Sequence, residues 1–415
     1  MEIKPITKFN RVMTVAPDKS ITHRAIMFNS FAQGRAVISN SLLGQDCLST
    51  IECMRRLGAN IQLCRDKVII EGVKQLKDAC LFVGNSGTTM RLLTGLLSGV
   101  AGHFILDGDI SLRSRPMNRV VVPLKEMGAN IVCQDEKAPI KIFPSSLNGI
   151  DYKMPVASAQ VKSAILLAVI NAEGQTIVRE TIPSRNHSEI MLSQMGANIT
   201  VNGKDIIITK SNLYCVDVTV PNDISSAVYP LVLACIIKNA CVTIKNVSLN
   251  PTRTGIIDVF KDCGCKIDIE LTHTKGEMCG NITLKQTQLK PFVIDKTLIP
   301  RLIDEIPTLA VLACFIEGTS IISGAQELKV KESNRIDSTV KCLKLMGADI
   351  EGTMDGMIIH GKGYLDGGVT IDSYGDHRIA MSMAVAGWGS KKGINILNAN
   401  CVDISYPNFY NIVEV

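Results

Sequence analysis

The chain has 415 residues, 46% of them hydrophobic and 20% charged, with a formal net charge of +5 at pH 7. That length exceeds one ordinary core and predicts two or more folded domains, while the composition excludes a disordered chain. The mild positive balance suits small anionic substrates, and 4% aromatic residues leave few platforms for stacking bases, so no nucleic-acid partner is expected. The opening Met1-Glu2-Ile3-Lys4-Pro5 lacks the apolar core of a signal peptide. Apolar stretches such as 227–237 are short for a bilayer, and Tyr229-Pro230 interrupts that one, so no membrane association is expected. The 14 cysteines form no paired-spacing framework. Cys263 and Cys265 are too close for a zinc knuckle and lack a second pair. The cysteines read as small buried hydrophobes in a reducing cytoplasm, with no metal site expected.

In chain order, a helix-ending hexapeptide recurs. Arg56-Leu57-Gly58-Ala59-Asn60-Ile61 returns as Glu126-Met127-Gly128-Ala129-Asn130-Ile131 and as Gln194-Met195-Gly196-Ala197-Asn198-Ile199. Looser copies are Asp262-Cys263-Gly264-Cys265-Lys266-Ile267 and Leu345-Met346-Gly347-Ala348-Asp349-Ile350. Each copy follows an amphipathic helical pattern and precedes alternating residues, and its glycine is suited to end a helix in the left-handed conformation. Asn202-Gly203 and Asp355-Gly356 then predict hairpins. A second marker interleaves with the first: a small-residue helix, a glycine or asparagine stop, and a β-rich run, around Gly34, Gly102, Gly174, Asn239, Gly318 and Gly393. The spacing is about 70 residues, longer than solenoid repeats, so each of six units is expected to be a small α/β subdomain. They group as two domains of three, with Pro221-Asn222-Asp223 at the division.

The inner helices begin at Asp18-Lys19-Ser20, Asn85-Ser86-Gly87-Thr88, Ser158-Ala159-Gln160, Asp223-Ile224-Ser225-Ser226, Leu302-Ile303-Asp304-Glu305 and Gly375-Asp376-His377-Arg378. Taken singly, these Ser, Asn and Asp residues are N-caps. If the repeats are symmetric, equivalent helix starts are expected to face a common space and to recruit a multiply anionic ligand. Lys19, Arg24, Arg91, Arg115, Arg185 and Arg378 flank these starts or the turns nearby. The densest charged stretch is Lys329-Val330-Lys331-Glu332-Ser333-Asn334-Arg335-Ile336-Asp337, ahead of Val340, Leu343 and Met346 at helical spacing. Read as the first turn of a helix, it sets Lys331 and Arg335 at i,i+4 and Glu332 and Arg335 at i,i+3, an anion site with a carboxylate able to move a proton.

These motifs together resemble the 5-enolpyruvylshikimate-3-phosphate synthase family nearly end to end. The resemblance rests on Lys19-Ser20-Ile21-Thr22-His23-Arg24, Gly84-Asn85-Ser86-Gly87-Thr88-Thr89-Met90-Arg91, Arg113-Ser114-Arg115-Pro116, Ser158-Ala159-Gln160-Val161-Lys162-Ser163, Lys331-Glu332-Ser333-Asn334-Arg335 and Asp376-His377-Arg378. It implies an α/β fold of two domains, an inside-out α/β barrel in which each domain holds three βαβαββ-type repeats. The first domain would span 15–221, and the second would join 1–14 to 222–415. It also implies enolpyruvyl transfer from phosphoenolpyruvate to the 5-hydroxyl of shikimate 3-phosphate by a monomer with no cofactor. Lys19, Ser20, Arg24, Ser158, Ala159, Gln160, Ser184, Asp304 and Lys331 would hold shikimate 3-phosphate. Lys19, Gly87, Arg115, Gln160, Arg335 and Arg378 would hold phosphoenolpyruvate. Asp304 would take the hydroxyl proton and Glu332 would protonate the methylene carbon, with Lys19 counted among the catalytic groups.

The chemistry asks for these residue types: a proton to carbon and a base on oxygen need two carboxylates in different settings. Forked arginines suit a ligand that carries both a phosphate and a carboxylate. Three positions depart from the family pattern. Ala159 stands where many members have serine, and Lys162 or the backbone is expected to compensate on the phosphate. Arg185-Asn186-His187 replaces Lys-Pro-Tyr, and Ile404 precedes Ser405-Tyr406-Pro407 where some members place a lysine. The alternatives are the related transferase acting on UDP-N-acetylglucosamine and a non-catalytic phosphate-ligand binding protein of the same fold. The first expects Lys-Asn in place of Lys19-Ser20, and the second expects loss of Asp304 or Glu332.

Overall fold

Alternating burial marks the strands. Lys137–Phe143 buries Ala138, Ile140 and Ile142 and turns the residues between them outward, the period of a sheet covered on one face. The computed structural model of the protein describes residues 1–65, 67–73, 75–273 and 276–414. Among these residues the strands form six small sheets, and one strand order recurs. In the sheet of Ala79–Phe82, Phe104–Asp107, Lys137–Phe143 and Asn130–Gln134, the first pair is parallel and each later strand is antiparallel to its neighbour. The sheets containing Arg35–Ser39, Gln175–Arg179, Cys241–Ser248 and Gly318–Ile322 repeat that order. The sixth keeps a parallel pair, Val369–Asp372 with Ile394–Leu397, and completes it with Glu2–Ile3.

The chain divides into two compact units, Lys19–Val220 and Met1–Asp18 with Pro221–Val415. The division falls at Asp18 and Pro221 because the two crossing segments pair there. Pro17 bridges Asn222, Asp18 N–H donates to the Pro221 carbonyl at 2.8 Å, and Asp223 N–H donates to the Ala16 carbonyl at 2.9 Å. Asn10–Met13 also runs parallel to Cys241–Ser248, so the N-terminal segment belongs with the C-terminal half. Arg253, 1% exposed, reaches both crossings, Asp18 at 3.4 Å and Asp223 at 2.9 Å.

The helices of Lys19–Val220 are α1 (Lys19–Phe31), α2 (Gln45–Arg56), α3 (Gly87–Ser98), α4 (Ile110–Ser114), α5 (Asn118–Glu126), α6 (Ala159–Val169) and α7 (His187–Gln194). The other unit has α8 (Ile224–Ile236), α9 (Gly255–Asp262), α10 (Ile306–Cys314), α11 (Arg335–Leu345) and α12 (His377–Gly389). Parallel strands need a crossover, and α3, α6, α10 and α12 each supply one. These helices are apolar nearly all round and correspondingly buried. In α3 only Thr88 and Arg91 escape full burial. Close packing fixes the α3–α6 contact: a Cβ on Gly95 would lie 2.1 Å from the Ala164 carbonyl oxygen. The apolar stretch flagged at 227–237 lies mostly in α8, whose 13 residues rise about 20 Å. No helix among the described residues is long and apolar enough to cross a membrane.

The recurring hexapeptide glycines take the expected conformation, with φ of +110° at Gly58, +100° at Gly128, +89° at Gly196, +90° at Gly264 and +92° at Gly347. The cysteine expectation needs correction. No disulfide forms among the described residues, but only half of the thiols are buried, and Cys64 and Cys80 are exposed.

Candidate active site

Within Lys19–Val220 the predicted residues gather at helix starts. Ser86 caps α3 by accepting from Thr89 N–H at 3.2 Å, which makes Gly87 the first helical residue. A Cβ there would lie 2.9 Å from Arg91 Nη1 and 3.3 Å from Arg115 Nη1, so glycine leaves room for two guanidinium groups. Arg115 donates to Asn85 Oδ1 at 2.6 Å, and Arg91 donates to Gln160 Oε1 at 2.8 Å. Gln160 in turn donates to Thr88 Oγ1 at 3.0 Å. Ser158 caps α6 through Val161 N–H, leaving Ser158, Ala159 and Gln160 half-buried at the helix start. Gly87, Arg91, Arg115 and Gln160 therefore form one connected set.

Lys19 and Ser20 open α1, and Lys19 Nζ pairs with Asp46 Oδ2 at 3.0 Å. One turn further, Arg24 is gripped on three sides: Nε donates to Ser188 Oγ at 2.8 Å, Nη2 to Ser163 Oγ at 2.8 Å and Nη1 to the Ser20 carbonyl at 3.0 Å. His23 sits below them, its Nδ1 2.7 Å from Thr50 Oγ1. Burial, followed by the charges of Lys19 and Arg24, holds its pKa well below the ordinary histidine value, so the ring is neutral at pH 7.

Lys162 does not serve the phosphate side as expected. It is 0% exposed and bound to Glu180 at 3.0 Å and Glu189 at 2.6 Å, because the helical period turns it inward. Ser184 is also engaged: its hydroxyl donates to Glu180 Oε1 at 2.5 Å and its N–H to the same oxygen at 3.0 Å.

In the other unit Arg335 is the hub. Its Nε donates to Asp376 Oδ2 at 2.8 Å, Nη2 to Asp376 Oδ1 at 3.2 Å and to Glu332 Oε2 at 2.7 Å, and Nη1 to Asp304 Oδ1 at 3.3 Å. Lys331 Nζ stands 3.8 Å from Asp304. Arg335 is 2% exposed, whereas the side chains of Asp304 and Glu332 keep 15% and 20% exposure, enough for a ligand to reach them. Burial disfavours the Arg335 cation, but Asp376, Glu332 and Asp304 outweigh it and hold its pKa above the usual arginine value. Arg378 donates to the Ser225 carbonyl at 3.2 Å and to Tyr229 Oη at 3.3 Å. Burial disfavours its charge too, but Tyr229, Asp304, Glu305 and Asp223 keep it a cation.

Two local expectations are corrected. Lys331–Asn334 is not a helical turn: α11 begins at Arg335, capped by Asn334, whose side chain accepts from Asp337 N–H at 3.3 Å. The Glu332–Arg335 pair forms nonetheless, from a loop. Asp304 is not an N-cap but lies in the 3-10 turn Ile303–Glu305, because α10 begins at Ile306 with Pro307 in its first turn.

Sequence reasoning did not single out Asp46, Arg253 or Tyr229 as site residues, and named Glu305 and Asp376 only as parts of motifs. Asp376 is 0% exposed, caps α12 through Arg378 N–H at 2.9 Å and accepts from Ser333 Oγ at 3.0 Å. It thus ties Arg378, Ser333 and Arg335 to one carboxylate. Among the described residues no group of three or more His, Cys, Asp or Glu side chains could hold a metal ion.

The comparisons with known proteins agree with this fold. The family model for EPSP synthase (3-phosphoshikimate 1-carboxyvinyltransferase) matches residues 3–413. The chain is 49% identical over 423 residues to a 3-phosphoshikimate 1-carboxyvinyltransferase of Thermoanaerobacter sp. (strain X514), covering 100% of this chain and 99% of the relative. It is 45% identical over 401 residues to the Bacillus subtilis (strain 168) protein of that name, covering 95% and 94%. A solved EPSP synthase from Acinetobacter baumannii superposes with a TM-score of 0.87 at 39% identity, covering 99% of this chain and 96% of that one. A chain matched from residue 3 to residue 413, with the motif residues gathered at helix starts and on Arg335, belongs to the EPSP synthase (3-phosphoshikimate 1-carboxyvinyltransferase) family.

Proposed function

We propose that this protein transfers the enolpyruvyl group of phosphoenolpyruvate to the 5-hydroxyl of shikimate 3-phosphate and releases inorganic phosphate. The observation that carries the chemistry is the pairing of two reachable carboxylates, Asp304 and Glu332, with one buried guanidinium, Arg335. In the addition step Asp304 takes the hydroxyl proton while that oxygen bonds to C2 of phosphoenolpyruvate, and Glu332 gives a proton to C3. In the elimination step C3 returns a proton to Glu332, the C2–O bond to phosphate breaks, and the leaving phosphate takes the proton held by Asp304. The proton inventory closes without a redox partner, and the reading needs no metal or organic cofactor.

Arg335 is the proposed phosphoenolpyruvate ligand, yet Glu332 and Asp304 occupy it at 2.7 and 3.3 Å. On this reading the incoming anion takes over the guanidinium and frees both carboxylates. Arg378, Arg115, Gly87, Gln160 and Lys19 complete the phosphoenolpyruvate set. Lys19, Ser20, Arg24, Ser158, Ala159, Gln160, Ser184, Asp304 and Lys331 are proposed to hold shikimate 3-phosphate, with the Ala159 position served through its backbone at the start of α6. A monomer in the cytoplasm belongs to the same reading.

The test is acceptor choice. Phosphate release from phosphoenolpyruvate is expected with shikimate 3-phosphate and not with UDP-N-acetylglucosamine. Release only with the second acceptor would move the chain to the related transferase, and release with neither would leave a binding protein.

A further inference from the structure

We infer that Lys162 is a positioning residue for the phosphate end of shikimate 3-phosphate, acting through Glu180 on Ser184; the inference rests on the substrate proposed above. The side chains of Lys162, Glu180 and Glu189 are 1%, 5% and 5% exposed, a buried cation between two carboxylates in the N-terminal unit. An ammonium group has three N–H donors. Here it has three acceptors: Glu180 Oε2 at 3.0 Å, Glu189 Oε1 at 2.6 Å and the Ser184 carbonyl at 3.4 Å. No donor is left over for a ligand, so Lys162 does not contact substrate and takes no part as a phosphate-binding cation.

What it does instead is fix Ser184. Three atoms of that residue are held: its carbonyl by Lys162, and its N–H and hydroxyl by Glu180 Oε1 at 3.0 and 2.5 Å. Glu180 closes β-strand Gln175–Arg179, Lys162 lies on α6 just after Gln160, and Glu189 lies on α7. One salt-bridged cluster thereby ties the 180–189 segment to the helix that starts with Ser158, Ala159 and Gln160. The same helix anchors Arg24, since Ser163 and Ser188 are 2.6 Å apart and both accept from its guanidinium.

The Ser184 hydroxyl proton is committed to Glu180, and a phosphate dianion offers only acceptors. For Ser184 to donate to the substrate, its hydroxyl must turn away from Glu180. An unpaired buried carboxylate would resist that turn, because losing a partner costs the full desolvation of the group. Lys162 and the Ser184 N–H keep Glu180 satisfied while the hydroxyl turns. The cluster therefore holds the loop in place and also releases its hydroxyl to the ligand.

Lys162→Met in the full chain, compared with wild type, tests this by steady-state phosphate release with each substrate varied. The expected result is a KM for shikimate 3-phosphate raised at least tenfold, with kcat and the KM for phosphoenolpyruvate within threefold. If Lys162→Met does not fold, Glu180→Gln is read by the same criteria. It keeps an oxygen for Ser184 but turns an amide N–H toward the ammonium and breaks the bridge. A KM for shikimate 3-phosphate within twofold of wild type overturns the inference. So does a fall in kcat with both KM values rising together, the mark of a merely structural role. Absence of release by the wild type with shikimate 3-phosphate would instead sink the proposed substrate, so the two failures are told apart.

Discussion

Replacing Asp376 with asparagine isolates the carboxylate that holds Arg335 in place. Four donors converge on its two oxygens: Arg335 Nε at 2.8 Å and Ser333 Oγ at 3.0 Å on Oδ2, and Arg335 Nη2 at 3.2 Å and Arg378 N–H at 2.9 Å on Oδ1. Asparagine keeps one oxygen and presents an N–H2 group where the other was, so two of the four donors lose their acceptor. Asparagine is a good helix cap, so the start of α12 survives if its oxygen replaces Oδ1. The loss then falls on Arg335 Nε and Ser333. At about 1.5 kcal/mol for each bond to a charged group, the substitution costs about 3 kcal/mol. With Asp376 neutral, Arg335 is drawn onto Asp304 and Glu332, away from the position proposed for gripping phosphoenolpyruvate. The expected outcome in a phosphate-release assay is a kcat/KM for phosphoenolpyruvate reduced roughly 100-fold, since each 1.4 kcal/mol is about tenfold. Values within threefold of wild type in a folded variant would refute the reasoning that Asp376 sets the Arg335 geometry.

Gly87→Ala and Gly95→Ala separate a site effect from a packing effect on one helix. At Gly87 the new Cβ meets the side-chain ends of Arg91 and Arg115, not backbone, so the thermal midpoint is expected to hold while the KM for phosphoenolpyruvate rises about tenfold. At Gly95 it meets a backbone carbonyl at 2.1 Å, and overpacking of about 3 kcal/mol outweighs the roughly 1 kcal/mol gained in helix propensity, so calorimetry should show a lower midpoint. A larger midpoint loss at Gly87 than at Gly95 would reverse that assignment. His23 predicts a pH dependence of stability. Burial depresses its folded-state pKa, so below about pH 6.5 the unfolded chain takes up a proton that the folded one refuses. Stability is fully present above pH 6.5 and declines as pH falls, by at most about 1.4 kcal/mol per unit. Denaturation midpoints between pH 7.5 and 5.5 should fall more steeply for wild type than for His23→Gln, and parallel curves would contradict the buried neutral ring.

The repeat was legible because its physics is local. A glycine after each outer helix must reach positive φ wherever it recurs, and Gly58, Gly128, Gly196, Gly264 and Gly347 all do. Caps were legible for the same reason at Ser86, Ser158, Asp223 and Asp376, each of which accepts from a backbone N–H at its own helix start. The start of α11 was misjudged although a local signal existed. Asn334 and Asp337 stand three apart and bond reciprocally at 3.3 and 2.7 Å, which marks the cap four residues after Val330.

Partners distant in sequence left no such trace. Lys19 finds Asp46 at a separation of 27 residues, and Arg335 finds Asp376 at 41. Neither separation follows a helix or strand period, so only the fold brings the charges together. Lys162 shows the same limit from the other side. Its place two residues after Gln160 suggested a ligand contact, but Glu180 and Glu189 claim it from inside.

The most direct test of the catalytic assignment measures phosphate release from phosphoenolpyruvate, with and without shikimate 3-phosphate, for wild type and Glu332→Ala. The account predicts that wild-type release requires both substrates and collapses by at least a hundredfold in kcat for the variant, while shikimate 3-phosphate still binds it. Release by Glu332→Ala at a rate near wild type would contradict the role of Glu332 as the acid.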